Sequence, residues 1–366
     1  MWRILPVLLV VHGSIHLMGV AKAFGLAELP QLTQPISREM GLLWLGAAVL
    51  MLVSAAMMVF WPRHWWMVGA LALIVSQAVI LSAWRDAWAG TIVNGVLLLA
   101  VLHGFLTQGP WSFRAEFDRE VAGRRAAVAE APPITEQDLA RLPDAVQRYL
   151  RATGMVGRPR IQSYRLRFRG RIRSAADAAW MPFEADQHSF ANDPARLFLM
   201  RARMFAVPVE AWHRLMDGQA TMKVKVLGIV PMMNASGDVM DRSEAVTLFN
   251  DMCLLAPGTL IDRRITWAPV DARTVRAHFI YYSQTISALL IFGDDGLLTN
   301  FVSHDRSRAS ADGKSFTPLP FSTPVRDYRN FGPARLPRHG EARWLLPEGE
   351  FTYGEFDIQD VSYNVR

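Results

Sequence analysis

The chain has 366 residues, 39 Lys/Arg against 33 Asp/Glu, a net charge of +6 and 51% hydrophobic residues. That length fits two domains, the apolar content excludes a disordered chain, and the single cysteine, Cys253, excludes an intrachain disulfide and a cysteine-based zinc pattern. Charge is unevenly spread: residues 1–108 carry only Arg3, Lys22, Arg38, Arg63, Arg85, Glu28, Glu39 and Asp86, which excludes a wholly water-soluble protein.

Four apolar runs, Ile4–Phe24, Gly41–Trp61, Trp65–Trp84 and Trp88–Leu106, each approach the ~20 residues that a helix needs to cross ~30 Å of hydrocarbon. In lipid the backbone must satisfy its own polar groups, so these runs predict an all-α four-helix membrane bundle over 1–108. Trp2, Trp61, Trp65, Trp66, Trp84, Trp88 and Trp111 sit at their ends as interfacial anchors. Arg3, the first run and Ala21-Lys22-Ala23 also have the form of a signal peptide with a small-x-small cleavage site; the length of the run and the three spans after it favour a retained helix. Arg3, Arg63, Arg114, Arg119, Arg124 and Arg125 fall on one side of the bundle and Lys22, Arg38 and Arg85 on the other. By this count the chain is a multi-pass protein of a bacterial inner membrane with its C-terminal domain in the cytoplasm.

Polar residues within the spans are costly and therefore informative. His12 and His16 share a face of the first helix, Gln77 lies near mid-depth in the third, and Asn94 and His103 lie in the fourth. They read either as hydrogen-bonded packing between helices or as a seam that binds haem, a quinone, a metal ion or protons at His12, His16 and His103. No third or fourth ligand is assured, so no cofactor and no metal site is assigned.

Residues 109–157 read as juxtamembrane and connecting helices. Phe113, Phe117 and Val121 recur every four residues among arginines, the pattern of an amphipathic helix on a membrane surface. Thr135 and Asp138 open a further helix with Leu139, Leu142, Val146, Tyr149 and Leu150 on its apolar face.

Over 158–366 the period changes to two. Tyr164, Leu166, Phe168 and Ile172 alternate with Arg165, Arg167, Arg169, Arg171 and Arg173. Glu184, Asp186 and His188 of the next strand share one face, and in a hairpin the acids would stand opposite those arginines, making a charged outer face; the alternative is a basic stripe for lipid headgroups or a protein partner. No aromatic side chains interleave there, which argues against nucleic acid. About eleven or twelve strands follow, with Asp217-Gly218 and Asp294-Asp295-Gly296 as turn signals and Ser307–Pro320 as a polar loop. One helix interrupts them, with a capping-box-like start at Asp241 and Glu244 and an end at Pro257-Gly258. Links this short make the sheet antiparallel, and its size predicts a curved sheet or half-barrel with one inserted helix.

The concave side of such a sheet, with Trp180, Met200, Met204, Met222, Met232 and Met233, would hold a lipid or other apolar small molecule. A catalytic alternative pairs Cys253 with His304, oriented by Asp251 or Asp305. No glycine-rich phosphate loop is present.

Several segments together resemble an uncharacterised bacterial domain-of-unknown-function family over roughly 140–366. They are Leu142-Pro143 with Val146-Gln147-Arg148-Tyr149-Leu150, Trp180-Met181-Pro182-Phe183, Val224-Lys225 with Leu227-Gly228, Asn250-Asp251-Met252-Cys253-Leu254-Leu255-Ala256-Pro257, His304-Asp305-Arg306, Thr323-Pro324-Val325 with Asp327-Tyr328, and Tyr363-Asn364-Val365. The first third is similar to the four-helix segments joined to that domain, with a distant likeness to DoxX-like proteins at His12-Gly13 and His16. The resemblance implies a β-rich domain like the lipoprotein-carrier half-barrels and carries no catalytic residues. Carriers of that kind work outside the cytoplasm, opposite to the side that the charge count indicates.

Overall fold

The computed structural model describes residues 4–125, 131–205 and 207–365; Trp2 and Arg3 lie outside them. The chain divides into two compact units, Met1–Glu116 and Phe117–Arg366. The first contains α1 (Ile4–Ala23), α2 (Arg38–Phe60), α3 (Trp65–Ser82), the one-turn α4 (Trp84–Ala87) and α5 (Gly90–Gln108). Four helices are long and apolar enough to cross a membrane. Each long helix buries one narrow seam at alternating spacings of three and four, such as Leu5, Leu9, His12, His16 and Gly19 on α1. The remaining surface is exposed and still apolar: Val7, Leu42, Ile74 and Leu99 all point outward. This is the reverse of a soluble bundle, whose outward face is polar. α1 and α2 approach closely because Gly19 has no side chain; a Cβ there would stand 2.3 Å from the Trp44 ring.

From Phe117 on, α6 (Phe113–Arg125) belongs to the second unit, where its apolar stripe is used differently from the sequence expectation. Phe117 and Val121 are buried, and Phe117 meets Trp212 edge-on at 5.6 Å. Glu120 accepts a 2.7 Å bond from Arg214, and Arg124 reaches Asp193 and Asp217, each at 2.6 Å. This face therefore packs on protein rather than on a membrane surface. α7 (Glu136–Leu139) opens with the expected capping box between Thr135 and Asp138. α8 (Asp144–Ala152) buries Val146, Tyr149 and Leu150, and Tyr149 donates to the Cys253 carbonyl at 2.8 Å.

The sheet begins with β1 (Ser163–Ile172), β2 (Met181–Phe190), β3 (Ala195–Met204), β4 (Val207–Met216), β5 (Gln219–Val226) and β6 (Val230–Ser236). α9 (Asp238–Leu255) follows and ends in a 3-10 turn at Pro257–Ile261. Next come β7 (Ile265–Pro269), β8 (Thr274–Tyr281), β9 (Gln284–Phe292), β10 (Leu298–Ser303), β11 (Ser307–Ala309), β12 (Phe316–Pro318), β13 (Phe321–Ser322), β14 (Val325–Phe331), β15 (Ala334–Leu346) and β16 (Gly349–Tyr363). The order across the sheet is β6-β5-β4-β3-β2-β1-β16-β15-β13-β10-β9-β8-β7, with β14 beside β15 and a separate β11–β12 hairpin. Every pairing is antiparallel, and the sheet curls into a half-barrel around α9, which packs against β5, β9 and β15. The predicted polar loop at Ser307–Pro320 thus holds a short hairpin, and β6 was not expected.

Local chemistry accounts for these turns and faces. Asp217 and Gly218, with φ of 54° and 80°, form the two-residue β4–β5 turn that right-twisted hairpins favour. On β1, Arg167 pairs with Asp186 of β2 and Asp360 of β16, and Arg169 pairs with Glu184. Ion pairs run from Arg167 to Asp360, Arg169 to Glu184 and Arg171 to Glu355 at 3.4, 3.2 and 2.8 Å. This face alternates in charge. The helix start differs from expectation: Gly237 precedes α9 with no side-chain cap, Asp241 accepts from the Ala220 amide, and Glu244 turns into the core.

His188 of β2 is buried and stacked on Phe190 at 4.8 Å. Burial, then the charges of Arg125 and Arg165, push its pKa down from 6.5 to about 4. Because the unfolded state takes up the proton first, stability is complete above pH 6.5 and falls as pH drops towards 4. The expected loss is on the order of 3 kcal/mol, because each tenfold difference in proton affinity between the folded and unfolded states is worth about 1.36 kcal/mol. His188→Gln should flatten this limb in urea titrations between pH 7 and 4; an unchanged slope would assign the acid limb to another group.

Candidate functional site

The inner faces of β1–β6, β13, β15 and β16, one face of α9 and the β11–β12 hairpin enclose a cavity of about 700 Å³. Strand period two builds its wall: Arg196, Phe198, Met200 and Ala202 of β3 all face it, as do Val209, Ala211 and His213 of β4. The volume lies within the ~300–1,000 Å³ usual for small-molecule sites. The wall is mainly apolar, with two polar features.

The first is a buried ion cluster. Glu244 and Asp251 lie seven residues apart on α9, two turns along one face. Arg196 Nε donates to Asp251 at 2.6 Å, and its Nη1 donates to Glu244 at 3.3 Å. Gln187 donates to Asp251 at 2.8 Å, and His213 Nδ1 stands 3.2 Å from Glu244. Burial opposes ionisation of Glu244, but His213, Arg196 and Arg306 outweigh it and hold the carboxyl down to about 2. Asp251 is pushed upward by burial, which its bonds to Arg196 and Gln187 only partly offset. Asn250 Oδ1 and Thr323 Oγ1, both on the cavity wall, are buried atoms without a hydrogen-bond partner.

The second feature is cationic. Arg173, Arg306 and Arg308 line the cavity near the hairpin. Arg306 lies over Phe321 and Trp344, at 4.1 and 5.2 Å from the ring centroids, and donates to the Tyr353 hydroxyl at 2.8 Å. Arg308 donates to the Ser174 carbonyl at 2.8 Å.

Of the side chains anticipated as cavity lining, Met200, Met222 and Met233 are on this wall. Trp180, Met204 and Met232 are not. Trp180 lies against Arg171 and Arg173 ahead of β2. Met204 is exposed at the end of β3. Met232 falls in a register shift between Val224 and Lys225 of the β5–β6 pair, so its neighbour Met233 faces Val224 instead. Met204 with Phe205 at the β3–β4 turn, and Met232 with Leu227, Ile229 and Val230 around the β5–β6 turn, are exposed apolar residues.

The postulated catalytic set does not assemble. Cys253 is fully buried in the core, where burial, then the charge of Asp251, raises its thiol pKa well above the ordinary value. His304 is exposed. Asp251 belongs to the Arg196 cluster, and Asp305 binds Arg242 at 2.5 Å and the Ser287 amide at 2.6 Å.

In the helical unit, His12, His16, Gln77 and Asn94 do meet. His12 Nε2 stands 3.0 Å from Asn94 Oδ1. His16 Nδ1 donates to the His12 carbonyl at 2.9 Å, which leaves Nε2 to accept from Ser76 at 2.9 Å. Asn94 donates to Gln77 at 3.1 Å, and Gln77 to Thr91 at 3.0 Å. His103 is not among these partners; its carbonyl accepts from Thr107 at 2.8 Å. Among the described residues no group of three or more His, Cys, Asp or Glu could hold a metal ion. Sequence reading missed Ser76, Arg196, Gln187, His213 and the cavity arginines. The signal for Arg196 was its phase: it occupies the same parity as Phe198 and Met200.

No curated protein matches the chain. It is similar to a DUF1329 family protein from Desulfovibrio piger, at 11% identity and a TM-score of 0.35, covering 64% of this chain and 95% of that one. A domain described as an outer membrane lipoprotein-sorting protein from Vibrio parahaemolyticus gives 8%, 0.32, 55% and 85% in the same terms. A LolA superfamily protein from Nitrosomonas europaea gives 13%, 0.31, 58% and 91%. At these scores the likeness carries no functional argument. Residues 132–356, more than half of the chain, match the model of a family of unknown function (DUF6544), and the chain belongs to that family.

Proposed function

We propose that the protein is a membrane-anchored binding protein for a lipid or other apolar ligand, which it holds inside the half-barrel and transfers or presents. The carrying observation is the cavity of about 700 Å³ with a mainly apolar wall. A closed core would fill such space with its own side chains, because empty volume costs stability. The four apolar helices supply the anchor, in the inner membrane of a bacterium; the Lys/Arg count favours the cytoplasmic side for the half-barrel.

Native mass spectrometry of the detergent-released full chain tests this reading. The expected spectrum shows an adduct of lipid mass that survives activation sufficient to strip detergent. Repeated spectra of the bare chain, with no lipid in solvent extracts beyond that of a four-helix control, would refute it.

A further inference from the structure

The cavity reading can be taken one step further, to the chemistry of the ligand's head. Arg173, Arg306 and Arg308 come from the end of β1, the link after β10 and β11, yet all three reach the cavity near the hairpin. The guanidinium carbons of Arg173 and Arg308 stand 5.4 and 5.5 Å from the centroid of one ring, Phe351. Their hydrogen bonds go to neutral acceptors. Arg173 donates to the Thr352 and Ala176 carbonyls at 3.0 and 2.6 Å, Arg308 to the Ser174 carbonyl, and Arg306 to the Tyr353 hydroxyl. Among the described residues, none of the three has a carboxylate within 4 Å. The contrast with Arg167, Arg169 and Arg171 on the outer face, each in an ion pair, shows that carboxylates are supplied elsewhere in the same sheet. The acids on the cavity wall, Glu244 and Asp251, are bonded to Arg196, with His213 beside Glu244; the charge of Arg306 also acts on Glu244, but from beyond ion-pair distance.

Three like charges gathered at a partly buried rim repel one another, and a low-dielectric surround strengthens that repulsion. An anion removes it, and the planar fork of arginine fits carboxylate and phosphate oxygens with paired N–H donors. Behind the rim lies the apolar space. We infer that the ligand is an anionic amphiphile: its carboxylate or phosphate head sits among Arg173, Arg306 and Arg308, and its hydrocarbon tail runs along Phe198, Met200 and Met222. This rests on the proposal that the cavity takes an apolar ligand, and it adds the sign and place of the head.

The test uses the full chain in nanodiscs of neutral phosphatidylcholine. Three photoreactive probes carry a diazirine at the tail end: palmitic acid, the corresponding alcohol, and phosphatidic acid. After irradiation, labelled peptides are mapped by mass spectrometry. We expect one or both anionic probes to label the Phe198–Met200 and Met222 peptides at least tenfold more than the alcohol does. The preferred probe separates a fatty acid from a phospholipid as the source of the head. Arg306→Gln with Arg308→Gln should bring the ratio of acid to alcohol labelling to about one, and Arg306→Lys, which keeps the charge, should retain part of the preference. Equal labelling by acid and alcohol in the unmodified chain would overturn the anionic head and leave the apolar-ligand proposal standing. No cavity labelling by any probe would overturn both. Displacement of the anionic probes by millimolar inorganic phosphate would identify a plain anion site and overturn the amphiphile.

Discussion

Arg196→Met should be the most damaging single change in the β domain, lowering its stability by about 3–5 kcal/mol, the usual cost of removing one partner from a buried ion cluster. Arg196 is 7% exposed and Glu244 2%, so the substitution strands two carboxylates in a medium that does not tolerate their charge. The loss should show as a lower urea midpoint by tryptophan fluorescence. The triple change Arg196→Met, Glu244→Gln and Asp251→Asn should recover more than half of it, since the stranded charges are then gone. A single-variant loss below about 1 kcal/mol would contradict the buried cluster. Glu244 also sets an acid limit. Its folded pKa of about 2 lies below the ordinary 4.5, so its contribution is complete above pH 4.5 and disappears as pH falls towards 2, below the window in which His188 acts.

Ala211→Trp should remove the bound ligand with little harm to the fold. Ala211 stands between Met200 and Val224 on the inner face of the sheet and lines the cavity. An indole there projects into open volume rather than into packed atoms, so the urea midpoint should move by no more than about 1 kcal/mol. Lipid recovered per mole of protein should fall at least tenfold, equivalent to about 1.4 kcal/mol of binding. Ala202→Phe, on the neighbouring strand, provides a second obstruction if the indole disturbs folding. Folded variants that retain a normal lipid load would move the ligand out of this cavity.

The most legible parts of the sequence were those where a residue pattern admits one structural solution. Four runs of about 20 apolar residues leave a helix as the only way to satisfy the backbone in lipid. Tyr164, Leu166 and Phe168 interleaved with arginines can only be a strand with one buried face; Arg169 finds its carboxylate, Glu184, in the next strand, whereas Arg167 and Arg171 find theirs on β16, which no local period announces. Asp217-Gly218 named its own turn. Lost information had physical causes. β6 contains Pro231 and a register shift, so Met232 and Met233 cannot be sorted by counting. Parity put Met204 on the same face as Met200 but does not say where along β3 the cavity stops. The β11–β12 hairpin is polar and short, and its role in closing the cavity comes from long-range folding rather than from any local period. Glu244 reads as a capping residue only by its spacing from Asp241; α9 starts earlier, at Asp238, and Arg196 from β3 meets Glu244 inside the core.

The adjacency of β1 and β16, which pair from Tyr164 with Tyr363 to Ile172 with Gly354, has a consequence for biosynthesis. The two strands lie in the middle of the sheet order, so within the sheet the segments β2–β6 and β7–β15 are linked by strand pairing only through them. Until residues 349–363 have left the ribosome, β1 and β15 each carry an open row of backbone donors and acceptors. The module must therefore close late, after the helices of the first unit have long been made. A nascent chain stalled near residue 348 would expose two adhesive edges at once, which makes this stretch the point of greatest need for a chaperone.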